Sequence, residues 1–159
     1  MKNYFGNIEI LSSSCNLETI KDGRGAIFTW VNDEPILEFN MLFFHPNKIR
    51  GNHKHPEFTE YFLVVSGTVV LLTRDIKTGE IMNMLASPGT CFKTPPNTTH
   101  SVQAVTEAVC ISLLTKPWDS CDRPIIHEDI IGFDDQYMKY QKSKDPNYDP
   151  SKNTGKNVK

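Results

Sequence analysis

Short apolar runs separated by turn-forming residues recur along most of the chain. The runs are rich in β-branched and aromatic residues and repeat at a spacing of roughly 8–12 residues between clusters of Gly, Pro, Asn and Asp, a pattern typical of β-strands. It predicts strands at residues 8–11, 26–31, 38–44, 59–65, 68–73, 81–85, 91–93, 100–105 and 108–114.

No convincing helical period precedes residue 125, so this series of short strands predicts an all-β sandwich or barrel. The strand at 59–65 is apolar on both faces, because Phe62 and Val64 alternate with Leu63 and Val65. One face should fill the barrel, and the other should meet a second sheet or another subunit. We therefore expect a homodimer.

Composition divides the chain into four parts. A short helix is predicted at 134–142, whereas the residues after it are polar and bury too little apolar surface to offset the entropy of ordering. We predict an N-terminal arm at 1–21, a barrel at 22–115, a C-terminal extension at 116–142 and a flexible tail at 143–159.

Charge and composition exclude several kinds of partner. The 159 residues carry a formal net charge of −2 and a pI near 6.2, which gives no electrostatic case for binding nucleic acid or an anionic membrane. No apolar run reaches the roughly 18 residues of a membrane span, and the N-terminus lacks the apolar run of a signal peptide. The cysteines form no CxxC pair, so we expect a cytoplasmic protein with reduced thiols.

Three histidines and one glutamate are candidates for a metal site. His53 and His55 are two residues apart, so both side chains would point the same way from a strand. Glu60 would be costly at the start of an apolar strand unless it pairs with another group or binds a cation, and an exposed strand-end glutamate is the alternative. His100, which follows a Pro-Pro-Asn turn, completes a shell for zinc or iron(II); manganese, nickel and copper also accept such ligands.

The two segments that carry these residues resemble the two motifs of the cupin superfamily. Residues 51–67 run GNHKH, four residues, E, six residues, G, and residues 89–100 run G, five residues, PPNTTH. The resemblance covers roughly residues 22–115 and implies a double-stranded β-helix, or jelly-roll barrel, with the three histidines and the glutamate coordinating an ion inside it. Asn97 replaces a usual glycine, and asparagine tolerates the left-handed conformation.

Two further segments look like the pattern of nucleotide-sugar cupins: DGRG at 22–25 and RGNH at 50–53. These cupins include dTDP-4-keto-6-deoxyhexose 3,5-epimerases and 3,4-ketoisomerases. Residues 50–67 most resemble the C-terminal cupin of capsule-biosynthesis reductase/epimerases. The resemblance implies an isomerase of polysaccharide-precursor biosynthesis that removes a proton next to the ketone of a nucleotide sugar.

Three residues are candidates for binding that substrate. Arg24 and Arg50 would suit the diphosphate, since guanidinium groups match phosphate oxygens, and surface salt bridges are the alternative. Phe28 could stack on a base or sugar, although core packing is the more common role of such a residue.

The general base stays open. A histidine at the position of His53 resembles the base of metal-free epimerases, but a metal-bound nitrogen cannot also take up a proton. Tyr61, Lys93 and His45 are the other candidates, and residues 115–119 contain no tyrosine where 3,5-epimerases often place their acid. A metal-dependent small-molecule dioxygenase and a non-catalytic ligand-binding cupin therefore remain alternatives to the epimerase.

Overall fold

A computed structural model describes residues 2–11, 20–130 and 146–147. The predicted helix at 134–142 and nearly all of the predicted tail lie outside these residues. Within them there is no α-helix, and no helix is long and apolar enough to cross a membrane.

The described residues form β-strands and one short 3₁₀ helix, Trp118–Ser120. In chain order the strands are β1 Asn3–Phe5, β2 Ile8–Leu11, β3 Ile20–Asp22, β4 Gly25–Ile27, β5 Glu38–Phe44, β6 Ile49–Lys54, β7 Glu60–Ser66, β8 Val69–Arg74, β9 Ile81–Ala86, β10 Cys91–Thr94, β11 His100–Ala104, β12 Ala108–Leu114 and β13 Ile126–His127.

Two antiparallel sheets make the barrel. One has the order β1-β2-β10-β7-β12-β5 and the other the order β13-β6-β11-β8-β9, while β3 and β4 form a separate two-stranded sheet. The core lies between the two larger sheets: Phe62 stacks on Phe92 at 5.3 Å in one, and Leu71 and Val102 are buried in the other. The architecture is the predicted cupin jelly roll.

Most strand predictions are confirmed within one or two residues, and those at 8–11, 38–44 and 108–114 match to the residue. The prediction at 26–31 is wrong beyond Ile27, because residues 28–31 have no partner strand. The pattern missed β1, β3, β6 and β13, whose short or polar sequences become strands only through their neighbours.

The inner face of β7 is buried as predicted, whereas the outer face is buried at Tyr61 but not at Val65. Phe62 and Val64 are buried inside the barrel, whereas Val65 on the outer face is 46% exposed. Within the described chain, no further sheet covers that outer face at Val65. The inner face therefore builds the core and the cavity described next.

Candidate metal centre

A cavity of about 740 Å³ lies in the barrel and receives side chains from both sheets and from the segment after β12. It contains all four predicted metal ligands. Its lining includes Glu38, Asn40, Leu42, Ile49, Arg50, Gly51, Asn52, His53, His55, Glu60, Phe62, His100, Val102, Ser112, Leu114, Trp118, Asp119, Ile125 and His127.

A β-bulge in β6 sets the direction of His53. In the pairing of β6 with β11, His53 faces His100 and Gly51 faces Ser101, so Asn52 between them is the extra residue. Gly51 and Asn52 both have positive φ, of 102° and 55°. A Cβ on Gly51 would lie 2.8 Å from the carbonyl oxygen of His100, so this close approach requires glycine.

The bulge brings the three predicted histidines together. One ring nitrogen each of His53, His55 and His100 lies within 4.8 Å of the others. Glu60 joins two of them, since its Oε2 is 3.0 Å from Nε2 of His100 and 3.4 Å from Nε2 of His55. Its Oε1 accepts a 2.5 Å hydrogen bond from the hydroxyl of Ser112, which holds the carboxylate in this orientation.

Backbone carbonyls determine which nitrogens face the centre. Nδ1 of His55 lies 3.0 Å from the carbonyl oxygen of Pro124, and Nδ1 of His100 lies 3.0 Å from that of Thr98. A carbonyl oxygen can only accept, so each Nδ1 must carry the hydrogen. In a neutral ring, Nε2 then presents a lone pair to the carboxylate of Glu60. Two acceptors face each other, and a proton or a metal ion must lie between them.

The ionisation of the cluster follows from this arrangement. Burial opposes a charge on Glu60, but the neighbouring imidazoles of His100 and His55 outweigh it and hold its pKa well below the usual value. Burial also lowers the pKa of His100, yet the partner Glu60 raises it overall. His53 has a strongly lowered pKa because it is buried and faces the other two histidines. The centre is therefore built to hold positive charge on some of its atoms while His53 stays neutral.

The donor set fits a divalent metal ion. Nε2 of His55 is buried and has no hydrogen-bond partner, because its 3.4 Å contact with Glu60 falls short of hydrogen-bonding geometry. Imidazole nitrogens with one carboxylate suit zinc, iron and other first-row metals better than magnesium or calcium, which prefer oxygen ligands. Such an ion would satisfy the orphaned nitrogen and the facing acceptors together.

The predicted substrate-binding residues are only partly in the cavity. Arg50 lines it, with its guanidinium 5.6 Å from the ring centre of Phe44. Arg24 is exposed in the turn between β3 and β4 and does not line the cavity. Phe28 is 59% exposed and stacks on Trp30 at 6.3 Å, so it belongs neither to the cavity nor to the core.

Tyr61 and Lys93, the predicted catalytic residues besides His53, do not line the cavity. They pair on the outer face of β7 and β10, where the Tyr61 hydroxyl donates to Asp33 at 2.6 Å. Lys93 lies 2.6 Å from Asp33 and 3.0 Å from Glu34. Burial and the bond to Asp33 raise the pKa of Tyr61 to about 12, which disfavours a tyrosinate base. The geometry does not bring either residue to the cavity.

His45, the other candidate base, is also outside the cavity, where its exposed Nδ1 lies 3.7 Å from the carboxylate of Glu107. The sequence reasoning missed instead Ser112, Trp118, Asp119 and His127. Ser112 could have been found from the sequence, because it is a polar residue on the inward face of an apolar strand. The other three depend on the path of the chain after β12, which no local pattern encodes.

Comparisons with known proteins agree with the fold. The profile of the family described as polysaccharide biosynthesis C-terminal domain matches residues 20–119. No curated protein matches the chain at a significant level.

Solved structures with the same fold include the 3,5-epimerase RmlC of Legionella pneumophila in complex with dTDP-4-keto-L-rhamnose (TM-score 0.62, 14% identity, covering 80% of this chain and 75% of that one). A 3,4-ketoisomerase of Helicobacter canadensis matches with a TM-score of 0.66 and 14% identity, and the match covers 87% of this chain and 98% of that one. The capsular polysaccharide assembling protein CapF of Staphylococcus aureus matches with a TM-score of 0.54 and 24% identity, and the match covers 69% of this chain and 33% of that one. At these identities the similarity establishes the cupin fold.

Proposed function

The chain belongs to the polysaccharide biosynthesis C-terminal domain family, and we propose that it is a metal-binding epimerase or isomerase of a 4-keto nucleotide sugar. The observation that supports the proposal is a cluster of acceptor atoms inside the barrel: two imidazole Nε2 atoms and a carboxylate oxygen converge on one point, and a metal ion there would satisfy all three together. The cavity around them is large enough for part of a small-molecule substrate.

The fold neighbours support the substrate class. One is a 3,5-epimerase in complex with a dTDP-linked keto sugar, and another is a 3,4-ketoisomerase. Both reactions transfer a proton at a carbon next to a ketone. We propose the same chemistry here, with a nucleotide sugar as the small-molecule partner.

A bound zinc or iron(II) ion would polarise the substrate ketone and so favour loss of the neighbouring proton. The chain itself supplies the remaining functions. Arg50 lines the cavity, and its guanidinium group would suit the diphosphate of the substrate. His53, His55, Glu60 and His100 would hold the ion.

Proton transfer also needs a base that is not a ligand. His53 is excluded when a metal occupies its nitrogen, and the titratable groups that line the cavity outside the ligand set and Arg50 are Glu38, Asp119 and His127. These three replace Tyr61 and Lys93 as candidates for the base. They lie in three different elements, β5, the 3₁₀ helix and β13, so the effect of replacing each one on the reaction can be measured separately.

Deuterium exchange tests the proposed reaction. Metal-loaded protein incubated with UDP- and dTDP-linked 4-keto sugars in heavy water should introduce deuterium next to the ketone, as read by mass spectrometry and NMR. Glu80→Ala, on the exposed β8–β9 turn, is the control and should exchange normally. Absence of incorporation from every such substrate by the metal-loaded protein would contradict the proposal and favour metal-dependent oxygen chemistry or ligand binding without turnover.

We also propose that a second copy of the chain covers the outer face of β5. Phe39, Met41 and Phe43 point outward from this strand and are 74%, 61% and 64% exposed. The strand forms the edge of its sheet among the described residues, so its outer backbone is open to pairing. A contiguous apolar patch at a sheet edge is typical of a subunit interface, and a two-fold dimer would bury it.

A further inference from the structure

The segment that follows β12 closes one side of the cavity. It leaves the six-stranded sheet after Leu114 and rejoins the five-stranded sheet at β13, where His127 pairs with His53. On the way it contributes Trp118, Asp119, Ile125 and His127 to the cavity lining. We call residues 115–127 the strap.

Besides the Trp118 ring next to His55 and the pairing of His127 with His53, the strap contacts the metal centre through one buried main-chain hydrogen bond. The carbonyl oxygen of Pro124 accepts from Nδ1 of His55 at 3.0 Å, across 69 positions of the sequence, and both groups are buried. This contact sets the tautomer of His55 and turns its Nε2 toward Glu60. The position of the Pro124 carbonyl therefore decides whether His55 can act as a ligand.

Glu57 fixes that position from the turn that carries His55. Its Oε1 accepts from the backbone N–H of Arg123 at 2.6 Å, one residue before Pro124. Its Oε2 lies 2.6 Å from Nζ of Lys116, at the start of the strap. One carboxylate thus joins both ends of the loop 116–123 to the turn that follows His55.

Charge and burial make this junction more than an incidental surface pair. The side chain of Glu57 is only 23% exposed, and each of its carboxylate oxygens has a partner, Nζ of Lys116 or the backbone N–H of Arg123. A carboxylate that accepts one ammonium and one backbone N–H holds both in fixed directions. The loop it closes packs on Phe58, which is buried and stacks on His55 at 4.4 Å.

We propose that Glu57 is a positioning residue of the metal centre: it locks the strap so that the Pro124 carbonyl orients His55. The inference rests on the proposed metal site and adds a residue that makes no bond to the ion. Outer partners of ligating histidines typically contribute about 10- to 100-fold to metal affinity. Loss of Glu57 should weaken metal binding by an amount in this range.

The test compares metal binding by the full-length chain and its Glu57 variants. Zn²⁺ affinity is measured by competition with a chromogenic chelator, and Co²⁺ loading gives a d–d spectrum that reports the ligand geometry. Glu57→Ala should bind Zn²⁺ about 10- to 100-fold more weakly and shift the Co²⁺ spectrum. Glu57→Gln keeps an oxygen for the Arg123 N–H but loses the charge that pairs with Lys116, so its affinity should lie between those of Glu57→Ala and the wild type. The matched control Glu80→Ala should behave as the wild type.

Each outcome is decisive. Wild-type affinity and an unchanged Co²⁺ spectrum in Glu57→Ala would overturn the role of Glu57. Absence of Zn²⁺ and Co²⁺ binding by the wild type would overturn the proposed metal site itself. If Glu57→Ala does not fold, Lys116→Ala carries the test, because it removes only the Nζ arm: a several-fold weaker Zn²⁺ affinity supports the role, and an unchanged affinity overturns it.

Discussion

Two clusters of titratable residues begin at neighbouring positions of β7 and face opposite sides of the sheet. Inside the barrel, Glu60 meets His55 and His100, whose other nitrogens are already committed to carbonyl oxygens. Outside, Tyr61 and Lys93 meet Asp33, and every bond there joins a donor to an acceptor.

The difference lies in the balance of donors and acceptors. The outer cluster is complete, because one ammonium and one hydroxyl satisfy the carboxylates that they face. The inner cluster leaves Nε2 of His55 buried without a hydrogen-bond partner, and the proposed metal ion would bind that nitrogen. A group of ionisable residues thus indicates a ligand only when its internal hydrogen bonds leave atoms unsatisfied.

The largest expected effect is at the inner cluster. Replacing both His53 and His100 by alanine removes two of the nitrogens that converge on the centre, so bound zinc or iron should fall from about one ion per chain to near zero. Elemental analysis of the purified protein measures this. Stoichiometric metal in the double variant would show that the ligands lie elsewhere.

Substitutions on the outer face of β5 should change the oligomeric state of the protein and leave its metal content unchanged. Phe39→Lys combined with Phe43→Lys places two charges on the proposed interface, and the dimer should dissociate to monomers in sedimentation velocity. Ile76→Lys, at an exposed apolar residue on the β8–β9 turn, is the control and should leave the assembly intact. A monomeric wild type would refute the proposed interface.

The outer cluster should contribute stability and nothing else. Lys93→Met leaves Asp33 and Glu34 without their shared cation, and unfolding free energy should fall by about 1 kcal/mol because the carboxylates are partly exposed. Denaturant unfolding measures the change, and zinc affinity should equal that of the wild type. Loss of metal from this variant would mean that the two faces of the sheet are coupled.

The smallest effect concerns acid stability. Hydrogen bonds from Lys93 and Tyr61 lower the pKa of Asp33 from 3.8 to about 2, so the folded state favours its ionised form. This contribution is present above pH 3.8 and is lost as the pH falls toward about 2. Asp33→Asn should lack this part of the acid dependence in unfolding curves. Identical acid profiles for the two proteins would contradict the assigned bond.

Much of the fold could be predicted because period-two alternation and turn residues are local signals. They placed β5 and β12 to the residue, and the cupin motifs predicted that the three histidines and Glu60 meet. The alternation rule also separates Tyr61 from Glu60, so applying it to the candidate bases would have placed Tyr61 outside the barrel.

The rest of the site could not be predicted from local pattern. Trp118, Asp119 and His127 reach the cavity through the course of the strap, and Arg24 stays away from it because β3 and β4 form their own small sheet. The bulge at Asn52 depends on two successive positive φ angles. Gly51 and Asn52 are residue types that tolerate such angles, but the sequence does not show that a bulge forms there.

Anomalous diffraction at the zinc edge from crystals of zinc-loaded protein tests the central claim most directly. The account predicts one strong peak inside the barrel, about 2.0–2.2 Å from a ring nitrogen of each of the three histidines and from a carboxylate oxygen of Glu60. A peak at other residues, or zinc-loaded crystals without a peak among these four side chains, would contradict it.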